Sequence, residues 1–207
     1  MTTFALLAYD GIEPIDIGAT YGVLSMAKRI VPGLSFFVVA QTAGEVVMAN
    51  GLRLIADHAV ADAPAADILM VLGGPGWPQA TETAAILDHI RAFYDAGGTV
   101  AAVCTGGMIV GAAGLLDGRR ATTKREIVAG ETRPLDLLAE RHPAAEVVEA
   151  RLVDEGRVLT GGGVSLGMDM TLHLIGRAFG DAAAMETARI LEYATAWEAN
   201  GRTFKAL

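Results

Sequence analysis

The sequence predicts an α/β fold in which helices cover both faces of a mostly parallel central sheet. Short apolar runs alternate along the chain with segments of helical periodicity, which is the pattern that βαβ units leave in a sequence. The runs are apolar at consecutive positions, as is typical of strands buried on both faces. The chain has 207 residues, of which 52% are hydrophobic, so we expect one large core and a single domain over residues 1–207.

The strands of the first half are the most distinct elements. Each parallel strand is a short apolar run that stops at a polar or glycine-containing turn. The segment Glu45–Ile55 differs, because Asn50 and Gly51 favour the positive φ angles of a type I′ hairpin turn. The predicted parallel strands are Phe4–Tyr9, Ser35–Gln41, Ile68–Leu72 and Thr99–Val103.

Helices are predicted between these strands, where apolar residues recur every three or four positions. Gly97 and Gly98 provide a stop for the second of them. In the first half the predicted helices are Ile17–Ile30, Thr83–Ala96 and about Gly106–Leu116.

The second half is less regular. A short strand is predicted at Arg120–Thr123, and a second hairpin joins Val147–Val153 to Arg157–Thr160 through Glu155 and Gly156. The last dozen residues are polar, and we expect them to form a loose tail. The predicted helices are Pro134–Arg141, Ser165–Phe179 and Asp181 to about Tyr193.

Charge and cysteine content limit the partners and the location. The formal net charge is -8 and there is no basic run, so we expect neither nucleic acid nor a membrane surface as a partner. One cysteine forms no intrachain disulfide, which favours a reducing compartment such as the cytoplasm. The N-terminus lacks the features of a signal peptide, and no apolar stretch predicts a membrane span. The four histidines lack metal-ligand spacing, so no metal is expected.

Cys104 is the leading candidate nucleophile. An apolar strand runs into it and a helix follows at once, with Gly106 and Gly107 permitting close approach, as at a nucleophile elbow. Unpaired N–H groups and partial positive charge at the start of that helix favour a thiolate, so we expect a lowered pKa for Cys104. The alternative is a structural cysteine buried at the end of a strand.

Two loops are expected beside Cys104, because parallel strands place their carboxyl ends at one edge of the sheet. The loop Gly73–Gly76 exposes N–H groups that could hold negative charge together with the Thr105 N–H, although it could also be an ordinary tight turn. Near a thiolate, the Asp16 carboxyl would have a raised pKa and could donate a proton. Its alternative role is a helix N-cap. Glu13 is the competing carboxylate, and we expect it at the surface.

Four motifs, taken in order, resemble a known family. They are G-G-P-G, A-V-C-T-G-G, G-L-L-D-G-R-R-A-T-T and V-L-T-G-G-G-V-S-L-G-M-D, and the similarity runs from about Phe4 to Tyr193. Together they resemble the ThiJ/PfpI superfamily of class I glutamine amidotransferase-like domains, and within it the isocyanide hydratase branch. The resemblance implies a flavodoxin-like three-layer sandwich, a homodimer and a small-molecule substrate, with no cofactor.

The same resemblance implies roles for individual residues. It makes Cys104 the nucleophile and Asp16 the helper carboxylate, and Thr105 matches the threonine that follows the cysteine in the hydratases. The backbone amides of Gly74 and Thr105 correspond to the anion hole. The implied substrate pocket contains Gly73, Trp77, Gly162, Gly163 and Val164.

Two positions depart from the pattern of related branches. Lys124 stands where the hydratase and regulator branches commonly carry histidine after A-T-T. Thr105 stands where the protease-like branch has histidine directly after the cysteine, which disfavours a peptidase and a glyoxalase that uses a histidine base.

The favoured function is a hydratase that converts small isocyanides to N-substituted formamides through a thioimidate on Cys104. One alternative is an oxidant or ligand sensor in which Cys104 becomes sulfenic or sulfinic acid. A glyoxalase or amidase that uses the same cysteine is another. A regulator's sensing domain is the last, although related regulators carry a helix-turn-helix after this block and we expect none here.

Overall fold

A seven-stranded sheet lies at the centre of this computed structural model, which describes residues 1–204 and 206–207. Two small two-stranded sheets accompany it. In chain order the strands are β1 (Thr2–Leu7), β2 (Leu34–Ala40), β3 (Gly44–Val47), β4 (Arg53–Ala56), β5 (His58–Ala59), β6 (Ile68–Val71), β7 (Thr99–Ala102), β8 (Arg120–Ala121), β9 (Glu146–Val147), β10 (Leu152–Asp154) and β11 (Val158–Gly161).

The order across the central sheet is β10-β11-β7-β6-β1-β2-β5, and each neighbouring pair is parallel except β10 with β11. β1 lies between β2 and β6, with Phe4 in register with Phe36 on one side and Ile68 on the other. The chain therefore leaves β1 first to one side and later to the other. Such a reversal opens a crevice beyond the carboxyl ends of the strands. The predicted α/β class with a mostly parallel sheet is confirmed.

Helices pack in two groups, as a sheet covered on both faces requires. The helices are α1 (Pro14–Ile17), α2 (Val23–Ala27), α3 (Trp77–Glu82), α4 (Ala84–Asp95), α5 (Gly106–Ala112), α6 (Pro134–Arg141), α7 (Leu166–Phe179), α8 (Asp181–Ile190) and α9 (Ala194–Thr203). α2, α7 and α8 contact one another, and α3, α4, α5 and α6 form the second group. β1, β6 and β7 lie in the core between them, where Leu6, Leu69 and Val100 have no exposed surface. Burial on both faces explains why these strands are apolar at consecutive positions.

The first predicted helix is interrupted by a π-helical turn. α1 continues through the π turn Gly18–Gly22 into α2, which ends at Ala27 and not at Ile30. A π turn holds one residue more than an α turn, so the apolar spacing on which the prediction rests does not reveal it.

The second predicted helix is preceded by one that the sequence analysis missed. α4 matches the prediction, but α3 comes before it with Pro78 at its start. Proline in the first turn of a helix is the signal that could have found α3. Two other helices end early: α5 stops at Ala112 before Gly114 (φ 80°), and α8 stops at Ile190 before Glu192 (φ 56°).

The first predicted hairpin forms with a longer turn than expected. β3 and β4 are antiparallel, and Asn50 and Gly51 have the predicted positive φ angles of 61° and 84°. The connection is a 3₁₀ turn over Ala49–Gly51, closed by the Met48 N–H donating to the Leu52 C=O at 2.8 Å. The prediction of a two-residue type I′ turn is therefore wrong, because the turn contains three residues.

The second hairpin forms only at its inner end, where β10 pairs with β11. The upstream residues belong to β9, which pairs with β8 in a separate small sheet.

The expectation of a loose C-terminal tail is wrong. α9 occupies most of it, and Ala206 forms a bridge with Leu152 at the edge strand β10. Two further backbone bonds join Leu207 to Leu152 and to Asp154. α9 has no fully buried residue. Its sequence therefore lacks the apolar stripe that predicts a helix and is polar like that of a loose tail. No helix within the described residues is long and apolar enough to cross a membrane.

Candidate active site

Cys104 lies at a sharp turn between β7 and α5, as the sequence predicts. Its φ angle is 54°, in the left-handed region that non-glycine residues rarely adopt. Two hydrogen bonds hold this conformation: the Cys104 N–H donates to the Gly162 C=O at 3.0 Å, and the Thr123 hydroxyl donates to the Cys104 C=O at 2.6 Å. The turn leaves the side chain 3% exposed.

The loops that follow β1 and β6 meet along a seam in which the backbones of the two loops contact each other directly, with no side chain between them. The Glu13 N–H donates to the Gly73 C=O at 2.9 Å. A Cβ atom at Gly74, whose φ is 148°, would lie 2.3 Å from the Glu13 nitrogen, and one at Gly76 would lie 2.1 Å from the Asp10 carbonyl oxygen. Only glycine permits backbones to approach this closely. The seam brings the carboxylates of the first loop to the cysteine.

Asp16 lies inside α1 and is completely buried. Its alternative role as N-cap is wrong, because Glu13 holds that position, without a capping side-chain bond. Asp16 Oδ2 accepts the Gly73 N–H at 2.9 Å, whereas Oδ1 makes no regular hydrogen bond among the described residues. Burial raises the pKa of Asp16 to about 7, and the Gly73 N–H and the Cys104 side chain only partly oppose this rise.

The expected lowering of the Cys104 pKa is wrong. Burial raises the pKa of Cys104 to about 12, and the negative charge of Asp16 adds to the rise. The N–H groups of Val164 and Thr105 and the Lys124 charge lower it by less. The rise in pKa caused by desolvation of the buried sulfur therefore outweighs the lowering expected from the start of α5, which is a helix of only seven residues. The resting pair is a neutral thiol beside a carboxyl group that titrates near neutral pH.

The backbone amides around the sulfur differ in part from the predicted anion hole. The Thr105 and Val164 N–H groups act on the sulfur. The Gly74 N–H instead donates to Thr105 Oγ1 at 2.9 Å, so in this structure it faces the threonine hydroxyl. Val164, with φ 59°, was placed in the pocket by the sequence, but its N–H was not expected at the cysteine.

A cavity of about 610 Å³ opens over Cys104. Of the predicted pocket residues, Trp77 and Val164 line it. Gly73 and Gly162 are buried and are not among its lining residues. Gly163 is half-buried and lines an adjoining cavity together with Lys124 and Val164. The remaining lining residues are Glu13, Ile15, Gly74, Pro75, Thr105, Lys124, Glu131, Thr132, Pro134 and Leu137.

Charged residues in this cavity were largely missed. Glu13, expected at the surface, is half-buried and lines the cavity. Lys124 lines the cavity, and its stem packs so closely on Gly163 that a Cβ atom at Gly163 would lie 2.7 Å from Lys124 Cγ. Glu131 comes from an irregular segment whose sequence gives no signal for a site.

A second cavity, of about 520 Å³, lies beyond the ends of β1 and β2. Asp10, Gln41 and Gln79 are among its lining residues, and it shares none with the first cavity. The cysteine lines the first cavity and not the second, so the chemistry is assigned to the first cavity.

Comparisons with known proteins agree with this fold. Residues 2–177 match the DJ-1/PfpI family. Isonitrile hydratase from Pseudomonas putida is 33% identical over 190 residues, which are 92% of this chain and 78% of that protein. The HTH-type transcriptional regulator CdhR from Pseudomonas aeruginosa is 29% identical over 89% of this chain, which spans about half (53%) of the regulator. The crystal structure of a ThiJ/PfpI family protein from Pseudomonas syringae has a TM-score of 0.79 at 26% identity and covers 93% of this chain and 75% of that chain.

Proposed function

The chain belongs to the DJ-1/PfpI family, as its motifs predict, and from this we propose that it is a cysteine-dependent hydratase that converts small isocyanides to N-substituted formamides. The 33% identity to an isonitrile hydratase supports a hydratase role. The proposal includes a homodimer in the cytoplasm, as the family resemblance and the single cysteine suggest.

The observation that carries the proposal is the burial of Cys104 together with Asp16. Both are almost or fully removed from water, and both have raised pKa values. The pair therefore holds one mobile proton near neutral pH: the thiol keeps it at rest, and Asp16 can accept it when the sulfur attacks. An isocyanide needs a soft nucleophile and a proton at the same carbon, which this pair supplies.

The proposed steps conserve every atom. The Cys104 sulfur bonds to the terminal carbon of R–NC while its proton passes to Asp16. Asp16 returns that proton to the same carbon, which gives a thioimidate, S–CH=N–R. Water adds to this carbon, and one water proton passes through Asp16 to the nitrogen. The proton of the remaining hydroxyl group then returns to the sulfur as the C–S bond breaks. The products are R–NH–CHO and the resting thiol.

The cavity surface suits a neutral substrate with an apolar group. Ile15, Trp77, Pro134 and Leu137 form apolar parts of the lining. The Thr105 and Val164 N–H groups act on the Cys104 sulfur, which supports a role in stabilising negative charge there during the attack. These features would orient the isocyanide carbon toward Cys104 and leave the R group in the apolar part of the cavity.

Turnover of p-nitrophenyl isocyanide and cyclohexyl isocyanide tests the proposal directly. Formamide is expected with the wild-type chain, none above background with Cys104→Ala, and a loss of about 10²–10⁴-fold with Asp16→Asn, because general acid–base assistance is worth that much. Glu140→Gln, an exposed carboxylate on α6, serves as the control. No turnover by the wild type, or full turnover by Cys104→Ala, contradicts the proposal.

A second candidate is an oxidation sensor, favoured by the same two N–H groups at the sulfur. They would stabilise a Cys104 sulfinate, whose negative oxygens need donors. Mass spectrometry after mild peroxide should then show two added oxygens on the peptide that contains Cys104. A thiol that survives while free cysteine in the same tube oxidises rejects the sensor.

A further inference from the structure

One wall of the Cys104 cavity is built from a segment with few backbone bonds. This segment, residues 124–132, supplies Lys124, Glu131 and Thr132 to the lining. Among the described residues, its backbone makes one backbone–backbone hydrogen bond, from the Glu131 N–H to the Val128 C=O at 3.2 Å. That bond lies within the segment, so side chains must hold the segment against the rest of the fold.

Two arginines, one near the start of the segment and one directly after its end, bind a single carboxylate. Arg125 Nη1 lies 3.7 Å from Glu149 Oε1, and Arg133 Nη1 lies 3.3 Å from Glu149 Oε2. Glu149 follows β9 and is not part of the cavity lining. Its two oxygens therefore tie the start and the end of the segment to one point of the framework.

The two arginines have further contacts that fix where they stand. The Arg125 guanidinium lies 4.0 Å from the centre of the Phe204 ring. Arg133 also binds Asp136 at 3.1 Å in the first turn of α6. Between them, Ile127 and Val128 are 40% and 67% exposed, so the outer side of the segment has no packing to retain it.

We propose that Glu149 is a positioning residue, which holds residues 124–132 as a wall over the Cys104 cavity by bridging Arg125 and Arg133. An exposed ion pair adds little to a part of a protein that other bonds already fix. Here the bridge replaces missing backbone bonds, so the position of the wall depends on it. Loss of the bridge is expected to open the wall without unfolding the sheet.

Limited proteolysis with thermolysin tests the bridge without using turnover. Thermolysin cleaves before apolar residues, and Ile127 and Val128 are exposed targets within the wall. Glu149→Gln should raise the cleavage rate there about three- to tenfold, the range expected when one or two exposed ion pairs are lost. The thermal midpoint should remain that of the control Glu140→Gln. Cleavage of Glu149→Gln at the control rate overturns the bridge.

The activity arm rests on the proposed hydratase. Glu149→Gln should raise KM for p-nitrophenyl isocyanide about three- to tenfold and change kcat by less than about twofold, since the wall positions substrate and does not touch the reacting atoms. Glu149→Asp should recover part of the loss. Faster proteolysis with unchanged KM overturns the positioning role and leaves the hydratase intact.

A bulky maleimide separates the two proposals if no isocyanide is turned over. An open wall should let it label Cys104 about three- to tenfold faster in Glu149→Gln than in Glu140→Gln, while iodoacetamide, a small reagent, should show a smaller difference. Equal maleimide rates in both variants overturn the wall, whatever the substrate proves to be.

Discussion

At the scale of single residues, the site depends on the proton shared by Cys104 and Asp16. Burial, and not the start of α5, sets both pKa values. The sequence could indicate both residues, because a strand that enters a helix through C-T-G-G is a local pattern and Asp16 follows the first strand. It could not indicate the Val164 amide at the sulfur or Glu13 in the cavity lining, since both positions depend on tertiary contacts between loops.

Lys124 is the cation of the cavity whose charge lowers the pKa of both Asp16 and Cys104. Lys124→Met should therefore slow alkylation of Cys104 by iodoacetamide at pH 8 by about three- to tenfold, the size of one partly screened charge. Lys124→Arg should retain the rate.

The control for this measurement is Lys28→Met, because Lys28 stacks on Phe36 away from the cavity. A Lys124→Met rate equal to that of the control would show that the ammonium does not act on the sulfur.

At the scale of elements, the start of α5 is joined to the loop after β6 by one side chain. Thr105 Oγ1 accepts the Gly74 N–H at 2.9 Å and lies 3.3 Å from the Gly74 C=O. The elbow itself was predictable, because strand, cysteine and helix are contiguous. This cross-connection was not, since Gly74 and Thr105 are far apart in sequence and meet only where β6 and β7 pair in parallel.

Thr105→Val should lower the free energy of unfolding by about 1–3 kcal/mol, because the buried Gly74 N–H loses its acceptor. Thr105→Ser keeps the oxygen and should lose much less. Urea unfolding followed by circular dichroism measures both. A larger loss in Thr105→Ser than in Thr105→Val would mean that the methyl group, and not the hydroxyl, stabilises this junction.

At the scale of the whole molecule, the sequence indicated the parallel sheet because apolar β1, β6 and β7 each stand out locally. The sequence did not indicate α9, because a buried polar group, and not an apolar face, holds this helix against the fold. Asp169 on α7 accepts bonds from Tyr193 at 2.9 Å and Asn200 at 3.0 Å, and pairs with Arg151 at 3.1 Å. Polar anchoring of this kind leaves no apolar periodicity in the sequence, so the residues of α9 resemble those of a loose tail.

The stability of the whole fold should depend on pH through Asp16. Its pKa rises from 3.8 to about 7 on folding, so the folded chain favours the protonated form. The contribution of Asp16 to the free energy of unfolding is therefore greatest below about pH 4. It is lost as the pH rises through about 7, because the ionised carboxylate must then stay buried, at a cost on the order of 4 kcal/mol.

Urea unfolding of the wild type and Asp16→Asn between pH 4 and pH 8 measures this dependence. The difference in unfolding free energy should shift in favour of the variant as pH rises, because asparagine cannot ionise. A difference that stays constant across this range would show that Asp16 keeps an ordinary pKa in the folded chain.

The glycine seam between the loops that follow β1 and β6 has a consequence for mutational scanning. Gly74 and Gly76 leave no room for a Cβ atom, so every substitution there should deplete as severely as a substitution of Cys104. Fitness alone would then mark Gly74, Gly76 and Cys104 as equally essential, although the two glycines are constrained by backbone packing and Cys104 by chemistry. A scan that scores protein abundance beside activity should separate them, since seam variants lose abundance and Cys104→Ala keeps it.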